Sequence, residues 1–237
     1  MLTNFPRPVR AIVFGASGGI GTALVAALGQ DGNVAAVHAG SRSDVRVPHA
    51  TATFAFDLAD EHGIAAAAER GPFDLVIVAT GALHGEGLQP EKSWSAQSAD
   101  HYARAFTINA TGPALIGKHL LDTLPRKGKA VFAVLSARVG SIGDNRLGGW
   151  HAYRASKAAL NMIVRNFAIE LARGRPEAIA VALHPGTVAT PMTAPFRSPD
   201  QVTPPGEAAS ALLRVIDALT PADSGTVIDH RGDRVPF

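Results

Sequence analysis

The chain contains no cysteine among its 237 residues. This absence excludes disulfide bonds, thiolate catalysis and cysteine-ligated zinc. Aromatic residues are also scarce, at 6% of the sequence, so alanine and the aliphatic residues must build most of the hydrophobic core. Lysine and arginine are scattered along the chain and the formal net charge is only +2, so nucleic acid is not an expected partner.

Long apolar runs are missing as well. No segment approaches ~18 uninterrupted apolar residues, so we expect no membrane span and no membrane partner. The amino-terminal stretch has a short apolar run without a small-residue cleavage pattern, which does not fit a signal peptide. We therefore expect a cytoplasmic protein. Its length fits one dinucleotide-binding and catalytic domain over residues 1–237 and is short for two α/β domains.

Apolar runs of strand length alternate along the chain with longer segments of helical periodicity. Strands are predicted at residues 9–15, 33–40, 51–57, 73–81, 129–137, 178–186 and 225–232. Helices are predicted at residues 20–29, 60–70, 98–124, 151–173 and 206–219. The connection 40–50 is short, polar and contains Pro48, so we expect a loop there. This order predicts an α/β class, a doubly wound Rossmann fold with a seven-stranded parallel sheet and helices on both faces.

A glycine-rich turn joins the first predicted strand to the first predicted helix. Gly15, Gly19 and Gly21 have the spacing G-x-x-x-G-x-G, and Ser17 adds a hydroxyl donor. Glycine permits positive φ and a close approach to a pyrophosphate, and the helix N-terminus offers free N–H groups. The alternative is that these glycines serve only a tight turn in which the helix packs closely against the strand. The position between a strand and a helix favours dinucleotide binding.

The residues after the second strand bear on which nicotinamide cofactor binds. An acidic residue there accepts hydrogen bonds from a ribose 2′-hydroxyl and repels a 2′-phosphate. This chain has Ser41 and Arg42 instead, and a guanidinium pairs well with a phosphate. The sequence therefore favours NADP(H) over NAD(H). The alternatives are that Arg42 is a solvated loop residue, or that a shifted loop brings Asp44 to the ribose.

Tyr153 and Lys157 lie four residues apart on a predicted helix, so their side chains share one face. Reduction of a carbonyl by hydride leaves an alkoxide that needs a proton. A tyrosine has a pKa near ~10, and we expect the nearby ammonium to lower it. Ser136, at the end of the fifth strand, can donate a hydrogen bond to the substrate oxygen. The structural alternative for the pair is that Tyr153 is a half-buried packing residue and Lys157 is solvated. The alternative for Ser136 is that it is a capping or turn serine.

These motifs, in this order, resemble the short-chain dehydrogenase/reductase family. The glycine turn, Ser136, the Y-x-x-x-K pair and a Pro185-Gly186 turn after the sixth strand all match it. Phe14 departs from it, because threonine is usual before the first glycine. The stretch RVGSIGDNRLGGW, which separates Ser136 from Tyr153 by 17 residues, resembles the C-factor-like and sniffer-type carbonyl reductase subgroup. We expect this insertion to govern which substrates are accepted.

The resemblance assigns roles to further residues. It implies that Asn109 holds a water linking Lys157 to solvent, unless Asn109 is only a helix amide facing a loop. Adenine and its ribose would contact the segments after strands three and four, although Asp57 is alternatively a helix N-cap. The implied catalytic residues are Asn109, Ser136, Tyr153 and Lys157. The implied cofactor-binding residues are Gly15, Ser17, Gly19, Ile20, Gly21, Ser41, Arg42, Asp57, Leu58, Ala79, Thr80, Gly81, Asn109, Tyr153, Lys157, Pro185, Gly186, Val188 and Thr190.

The resemblance implies an NADP(H)-dependent oxidoreductase that reduces an aldehyde or ketone to an alcohol, with Tyr153 as general acid. The substrate would lie under a lid at residues 191–206. A dinucleotide-binding signalling protein of the C-factor type remains an alternative. A nucleotide-sugar epimerase shares Y-x-x-x-K but needs a larger carboxyl-terminal domain. The family packs subunits through its long helices, so a homodimer or homotetramer is expected. No histidine trio has metal-ligand spacing, so no metal site is predicted.

Overall fold

A computed structural model describes residues 1–42, 46–85 and 87–237 of the chain. Within this part, eight strands form one sheet in the order β3-β2-β1-β4-β5-β6-β7-β8. The strands are β1 Val9–Phe14, β2 Val34–Ser41, β3 Ala52–Ala55, β4 Leu75–Val78, β5 Ala130–Leu135, β6 Ala178–His184, β7 Val227–Asp229 and β8 Arg234–Val235. The seven predicted parallel strands are confirmed. The additional β8 pairs antiparallel with β7 and, at two residues, is too short to carry a periodic signal.

Helices cover both faces of the sheet, as the alternating pattern predicts. They are α1 Gly19–Gly29, α2 Glu61–Ala68, α3 Ala99–Phe106, α4 Gly112–Leu120, α5 His151–Leu171 and α6 Pro205–Ala218. One core cluster joins α1 and α6 to the sheet, and a second joins α2, α4 and α5 to its other face. Central strands β4, β5 and β6 are almost wholly buried, which explains why their sequences are continuous apolar runs.

The predicted helical segment 98–124 is helical from Ala99 to Thr123, but its hydrogen-bond pattern changes along the way, so it divides into α3, a π-helical stretch, α4 and a final 3₁₀ turn. Ser98 caps α3 by accepting a hydrogen bond from the His101 N–H, and residues Thr107–Thr111 then form a π-helix before α4. Pro113 lies in the first turn of α4, where its missing N–H costs least. The connection after β2 contains no helix among its described residues, as expected. Asp44, the alternative ribose ligand, lies outside them.

The strand order reverses between β1 and β4, which lie side by side in the sheet. From β1 the chain runs outward through β2 and β3, and from β4 it runs outward through β5 to β7. Connections at such a point leave on opposite faces and open a crevice beyond the carboxyl ends of the strands. Among the described residues, the search for a helix long and apolar enough to cross a membrane finds none.

Candidate active site

The glycine turn after β1 is closely packed against the rest of this crevice. Gly15 has φ +85°, and a Cβ on it would lie 2.9 Å from the Ala79 carbonyl carbon. A Cβ on Gly21 would lie 2.1 Å from the Gly15 oxygen, and one on Gly19 would lie 2.9 Å from Thr190 Cγ2. Larger residues at these positions would push the turn away from β4 and from the segment after β6.

A cleft of about 510 Å³ opens beside this turn, and we call it the dinucleotide cleft. Nine predicted cofactor-binding residues line it: Gly15, Ser17, Ser41, Arg42, Asp57, Leu58, Ala79, Thr80 and Gly81. The structure therefore brings together residues from the ends of four strands. It also adds residues that the sequence did not indicate: Gly18, Ala82, Ala103, Arg104, Thr107 and Ile108. Those on α3 have no local glycine or phosphate-binding signal, so only the packing of α3 reveals them.

Two features of this cleft fit a bound dinucleotide. Thr80 Oγ1 is buried without a hydrogen-bond partner among the described residues, and it lies in the cleft wall. Gly81 keeps the space beside Lys157 open, since a Cβ there would lie 3.4 Å from Asn109 Oδ1 and 3.6 Å from Lys157 Nζ. An unpaired buried hydroxyl and an open glycine path are suited to polar contacts with a ligand.

Asp57 is not the N-cap of α2. That cap is Asp60, whose carboxylate accepts a hydrogen bond from the His62 N–H at 3.1 Å. Asp57 Oδ1 instead accepts from the Ala59 N–H at 2.8 Å, and Asp57 faces the dinucleotide cleft. The alternative that Asp57 caps α2 is therefore wrong, and Asp57 lies in the wall of the cleft.

A smaller cleft of about 180 Å³ opens where β5, α5 and the segment after β6 meet, and we call it the substrate cleft. Seven predicted site residues line it: Ile20, Ser136, Tyr153, Pro185, Gly186, Val188 and Thr190. Trp150 and Phe196 form much of its apolar wall, with ring centroids 5.3 Å apart. Trp150 thus joins the start of α5 to the segment 191–206. Four of the predicted site residues line neither cleft: Gly19, Gly21, Asn109 and Lys157.

Tyr153 and Lys157 share one face of α5, and the Lys157 Nζ lies 5.9 Å from the centre of the Tyr153 ring. Burial raises the pKa of Tyr153 to about 12 and lowers the pKa of Lys157 to about 8. The Tyr153 pKa thus shifts in the direction opposite to the predicted lowering by the Lys157 ammonium. The physical reason is desolvation, and the Lys157 Nζ donates its hydrogen bond to the Leu135 carbonyl oxygen at 2.8 Å.

Ser136 faces the substrate cleft, but its hydroxyl already has a partner. Ser136 Oγ donates a hydrogen bond to Asn161 Oδ1 at 2.7 Å, and both residues are buried. Together with the bond between Lys157 and Leu135, this contact ties the end of β5 to α5 at two positions one helical turn apart. No local sequence signal indicates Asn161, because its partner lies 25 residues away.

Asn109 connects three elements around Tyr153 and Lys157. Its Oδ1 accepts from the Ala82 N–H at 2.9 Å, and its Nδ2 donates to the Ala82 carbonyl at 2.9 Å and to Ser156 Oγ at 3.1 Å. Ser156 Oγ in turn donates to the Tyr153 carbonyl oxygen at 2.8 Å. Asn109 is buried within the π-helix, and its side chain bonds to the backbone of Ala82 in the loop after β4. This is the contact expected of a helix amide that faces a loop. π-Helical turns are frequent at functional sites.

Glu91 is a further residue that the sequence did not indicate. It is buried, and its Oε2 accepts from the Ala152 N–H at 3.3 Å, in the first turn of α5. Its carbonyl oxygen accepts from the Trp150 N–H at 2.5 Å. Trp150 has φ +50°, a conformation that is costly for a bulky residue, and it follows two glycines of positive φ. Glu91 therefore holds the start of the helix that carries Tyr153.

The fold and the clefts define a doubly wound α/β protein with a Y-x-x-x-K pair at the edge of a dinucleotide cleft. The short chain dehydrogenase family matches residues 10–201, and the chain belongs to this family. The chain is 40% identical over 171 residues to the C-signal protein of Myxococcus xanthus, covering 70% of this chain and 94% of that protein.

Solved structures agree with this assignment. An NADP-bound short-chain dehydrogenase/reductase from Burkholderia multivorans is 27% identical, with a TM-score of 0.80 over 97% of this chain and all of the other. An NADPH-bound carbonyl reductase from chicken fatty liver has the same fold at 24% identity, with a TM-score of 0.82 over 98% of this chain and all of the other.

Membership in this family makes the protein a nicotinamide-dependent oxidoreductase that acts on alcohol or carbonyl groups. The two clefts meet this requirement, because one suits a dinucleotide and the other places a tyrosine hydroxyl beside a small apolar space. Among the described residues, no group of three or more histidine, aspartate or glutamate side chains is arranged to hold a metal ion.

Proposed function

We propose that the protein reduces an aldehyde or ketone to an alcohol, with NADPH as the electron donor and Tyr153 as the general acid. The observation that carries this proposal is the phenol of Tyr153 in the wall of the substrate cleft. Burial raises its pKa to about 12, so it is protonated at neutral pH and can give a proton to a developing alkoxide. The reverse reaction would need the phenolate, which is scarce at that pH.

The nicotinamide supplies the hydride when the cofactor is bound. Tyr153 then protonates the substrate oxygen, and the Lys157 ammonium stabilises the phenolate that remains. Ser136 lies in the same cleft and is our proposed hydrogen-bond donor to the substrate oxygen. To act in this way it must exchange its bond to Asn161 Oδ1 for one to the substrate.

Asn109 is proposed to hold the water that connects Lys157 with solvent. Its Oδ1 and the Lys157 Nζ both lie within 3.6 Å of the Cβ position of Gly81, which supports a shared polar space. Lys157 is also proposed to hold the nicotinamide ribose, and Gly19 with Gly21 to keep the turn close to the pyrophosphate.

NADPH rather than NADH is proposed as the cofactor because Ser41 and Arg42 follow β2 and line the dinucleotide cleft. A guanidinium at this point can pair with a 2′-phosphate, whereas an acidic residue would repel it. Asp57 lies across the same cleft, from the end of β3, where adenosine contacts are expected.

The segment 191–206 is proposed as a lid over the substrate cleft. Met192, Thr193 and Phe196 line that cleft, and His84 Nε2 lies 3.1 Å from the Met192 carbonyl oxygen. The far end of the segment is anchored, since Thr203 pairs with Val188 beside β6. The lid and the insertion ending at Trp150 would together set which substrates enter.

A signalling role is the second candidate, because the relative named C-signal covers 70% of this chain at 40% identity. A purely dinucleotide-binding role gives no use to a buried tyrosine and lysine at the substrate cleft. The proposal is tested by following NADPH consumption by absorbance with a panel of aldehydes and ketones. Turnover of several neutral carbonyl compounds is expected. An absence of turnover across the panel, despite NADPH binding, would favour the signalling role.

A further inference from the structure

A second cavity, of about 320 Å³, opens beside the substrate cleft, and we call it the polar annex. The two cavities share four lining residues: Arg138, His184, Gly186 and Thr187. The remaining wall of the annex includes Gln201, His230 and Arg231. Because its wall is largely polar, the annex contrasts with the apolar side of the substrate cleft. A molecule that reaches Tyr153 can therefore extend a polar group into the annex.

Two histidines, His184 and His230, face each other across the annex, and the Asp229 carboxylate lies close enough to interact with both rings. Their ring centroids lie 6.4 Å apart, and the Nδ1 of each is buried without a hydrogen bond among the described residues. Buried polar atoms in native proteins usually have hydrogen-bond partners, so two buried Nδ1 atoms without one indicate a position that suits a polar ligand. Gly186 allows this arrangement, since a Cβ there would lie 3.0 Å from the His230 ring.

Cationic groups complete the annex. Arg138 Nε donates to Asp144 Oδ2 at 2.5 Å, Asp229 and Asp233 also interact with its charge, and its two terminal nitrogens make no hydrogen bond within the described residues. Arg231 is exposed and its side chain forms no hydrogen bond within the same part of the chain. The Asp229 carboxylate also lines the annex, and its Oδ1 accepts from the N–H groups of Arg231 and Asp233. The annex wall thus carries two arginines and two histidines against one carboxylate.

We propose that the carbonyl substrate carries a carboxylate, which binds in the polar annex between Arg138, Arg231 and the two histidines. This inference rests on the proposed function, since it names the substrate class of the same site as an oxo acid. A guanidinium fork matches a carboxylate in geometry and charge, and imidazole N–H groups can donate to its remaining oxygen positions. The ketone or aldehyde end of the oxo acid then lies at Tyr153.

The test compares matched pairs of substrates with the NADPH-loaded enzyme. Oxo acids of increasing chain length are assayed against their methyl esters, which keep the carbonyl but lose the negative charge. We expect the acid of the best-fitting length to have a kcat/KM at least about tenfold above its ester, because the ester lacks the negative charge that the two guanidinium groups would pair with. Arg231→Gln and Arg138→Gln should each bring this ratio towards one. Arg173→Gln, at the exposed end of α5, is the charge-matched control and should retain the acid preference.

Each outcome decides a separate claim. If neutral carbonyl compounds are reduced but no acid is preferred over its ester, or if both variants keep the preference, the annex proposal is overturned and the proposed function stands. If the wild type reduces nothing, the proposed function fails. The annex is then judged by calorimetry with the NADPH-loaded protein. Binding of an oxo acid that is lost in Arg231→Gln supports it, and equal binding of acid and ester, or none, overturns it.

Discussion

Burial shifts the pKa values of Tyr153 and Lys157 so that the uncharged form of each is favoured, and for Tyr153 this agrees with the proposed role as proton donor. The tyrosine, with a pKa of about 12, stays protonated across the physiological range. The lysine, with a pKa of about 8, is charged below that pH and neutral above it. In the proposed mechanism, proton donation by Tyr153 leaves a phenolate, so the rate of reduction would depend on the charge of Lys157.

The first prediction is a pH profile. The kcat/KM for carbonyl reduction should be level near neutral pH and fall as the pH rises through about 8, because Lys157 then loses its charge. Lys157→Arg keeps a charge at all accessible pH values, since the guanidinium pKa is above about 12. Its absolute rate should be lower, but the fall near pH 8 should vanish. The same fall in both proteins would show that another group titrates.

Arg42 gives the second prediction. Arg42→Ala should lower kcat/KM for NADPH by about ten- to a hundredfold, as expected for loss of a charge-assisted hydrogen bond worth about 1.5–3 kcal/mol. The value for NADH should change little, because it has no 2′-phosphate. Arg126→Ala, an exposed arginine remote from the cleft, is the control. An unchanged NADPH-to-NADH ratio in Arg42→Ala would remove the case for NADP selectivity.

Among the elements, α5 contains both Tyr153 and Lys157, and its first turn is held by a residue that is distant in sequence. Glu91 contributes a carboxylate at the helix N-terminus, where negative charge is favourable, and it accepts the Ala152 N–H. Glu91→Ala should destabilise the protein by about 1–2 kcal/mol in urea unfolding. Glu207→Ala removes an exposed glutamate from the first turn of α6 and should cost less than about 0.5 kcal/mol. Equal losses would mean that Glu91 does not hold α5.

The individual elements also show where sequence reasoning succeeds. The strands and the positions of Gly15, Tyr153 and Lys157 are predictable because their signals are local: apolar runs, turn glycines and a spacing of one helical turn. The π-helix at Thr107–Thr111 is not, since its amide anchor, Asn109, bonds to Ala82, 27 residues away. Glu91 is hidden for the same reason, because the helix turn it caps lies 61 residues further on.

At the scale of the whole molecule, the sheet brings residues spread over most of the chain to one edge. The alternation of strands and helices predicts a doubly wound sheet, in which the strand order reverses between β1 and β4. The general position of the crevice is therefore predictable. Its electrostatics are not. The direction of the Tyr153 pKa shift depends on burial by neighbours from several elements, and a motif alone indicates the opposite direction.

Association of subunits is the prediction that belongs to the whole molecule. Met162 and Ile169 are exposed on one face of α5, at 61% and 46%, and we propose that this face packs against a second copy. Light scattering at micromolar concentration should give a dimer or tetramer mass, and Met162→Glu with Ile169→Glu should reduce it. The pair Ile142→Glu and Leu147→Glu, in the exposed insertion, should not. A monomeric wild type would contradict the proposed assembly.

The central claim is that Tyr153 donates the proton in a nicotinamide-dependent carbonyl reduction. Its most direct test is Tyr153→Phe, which keeps the ring that packs on Trp150 and removes only the hydroxyl. NADPH affinity, measured by fluorescence titration, should remain within about twofold, while the single-turnover rate of carbonyl reduction should fall by at least about a hundredfold. Unchanged reduction by Tyr153→Phe, with NADPH binding intact, would contradict the assignment of the catalytic acid.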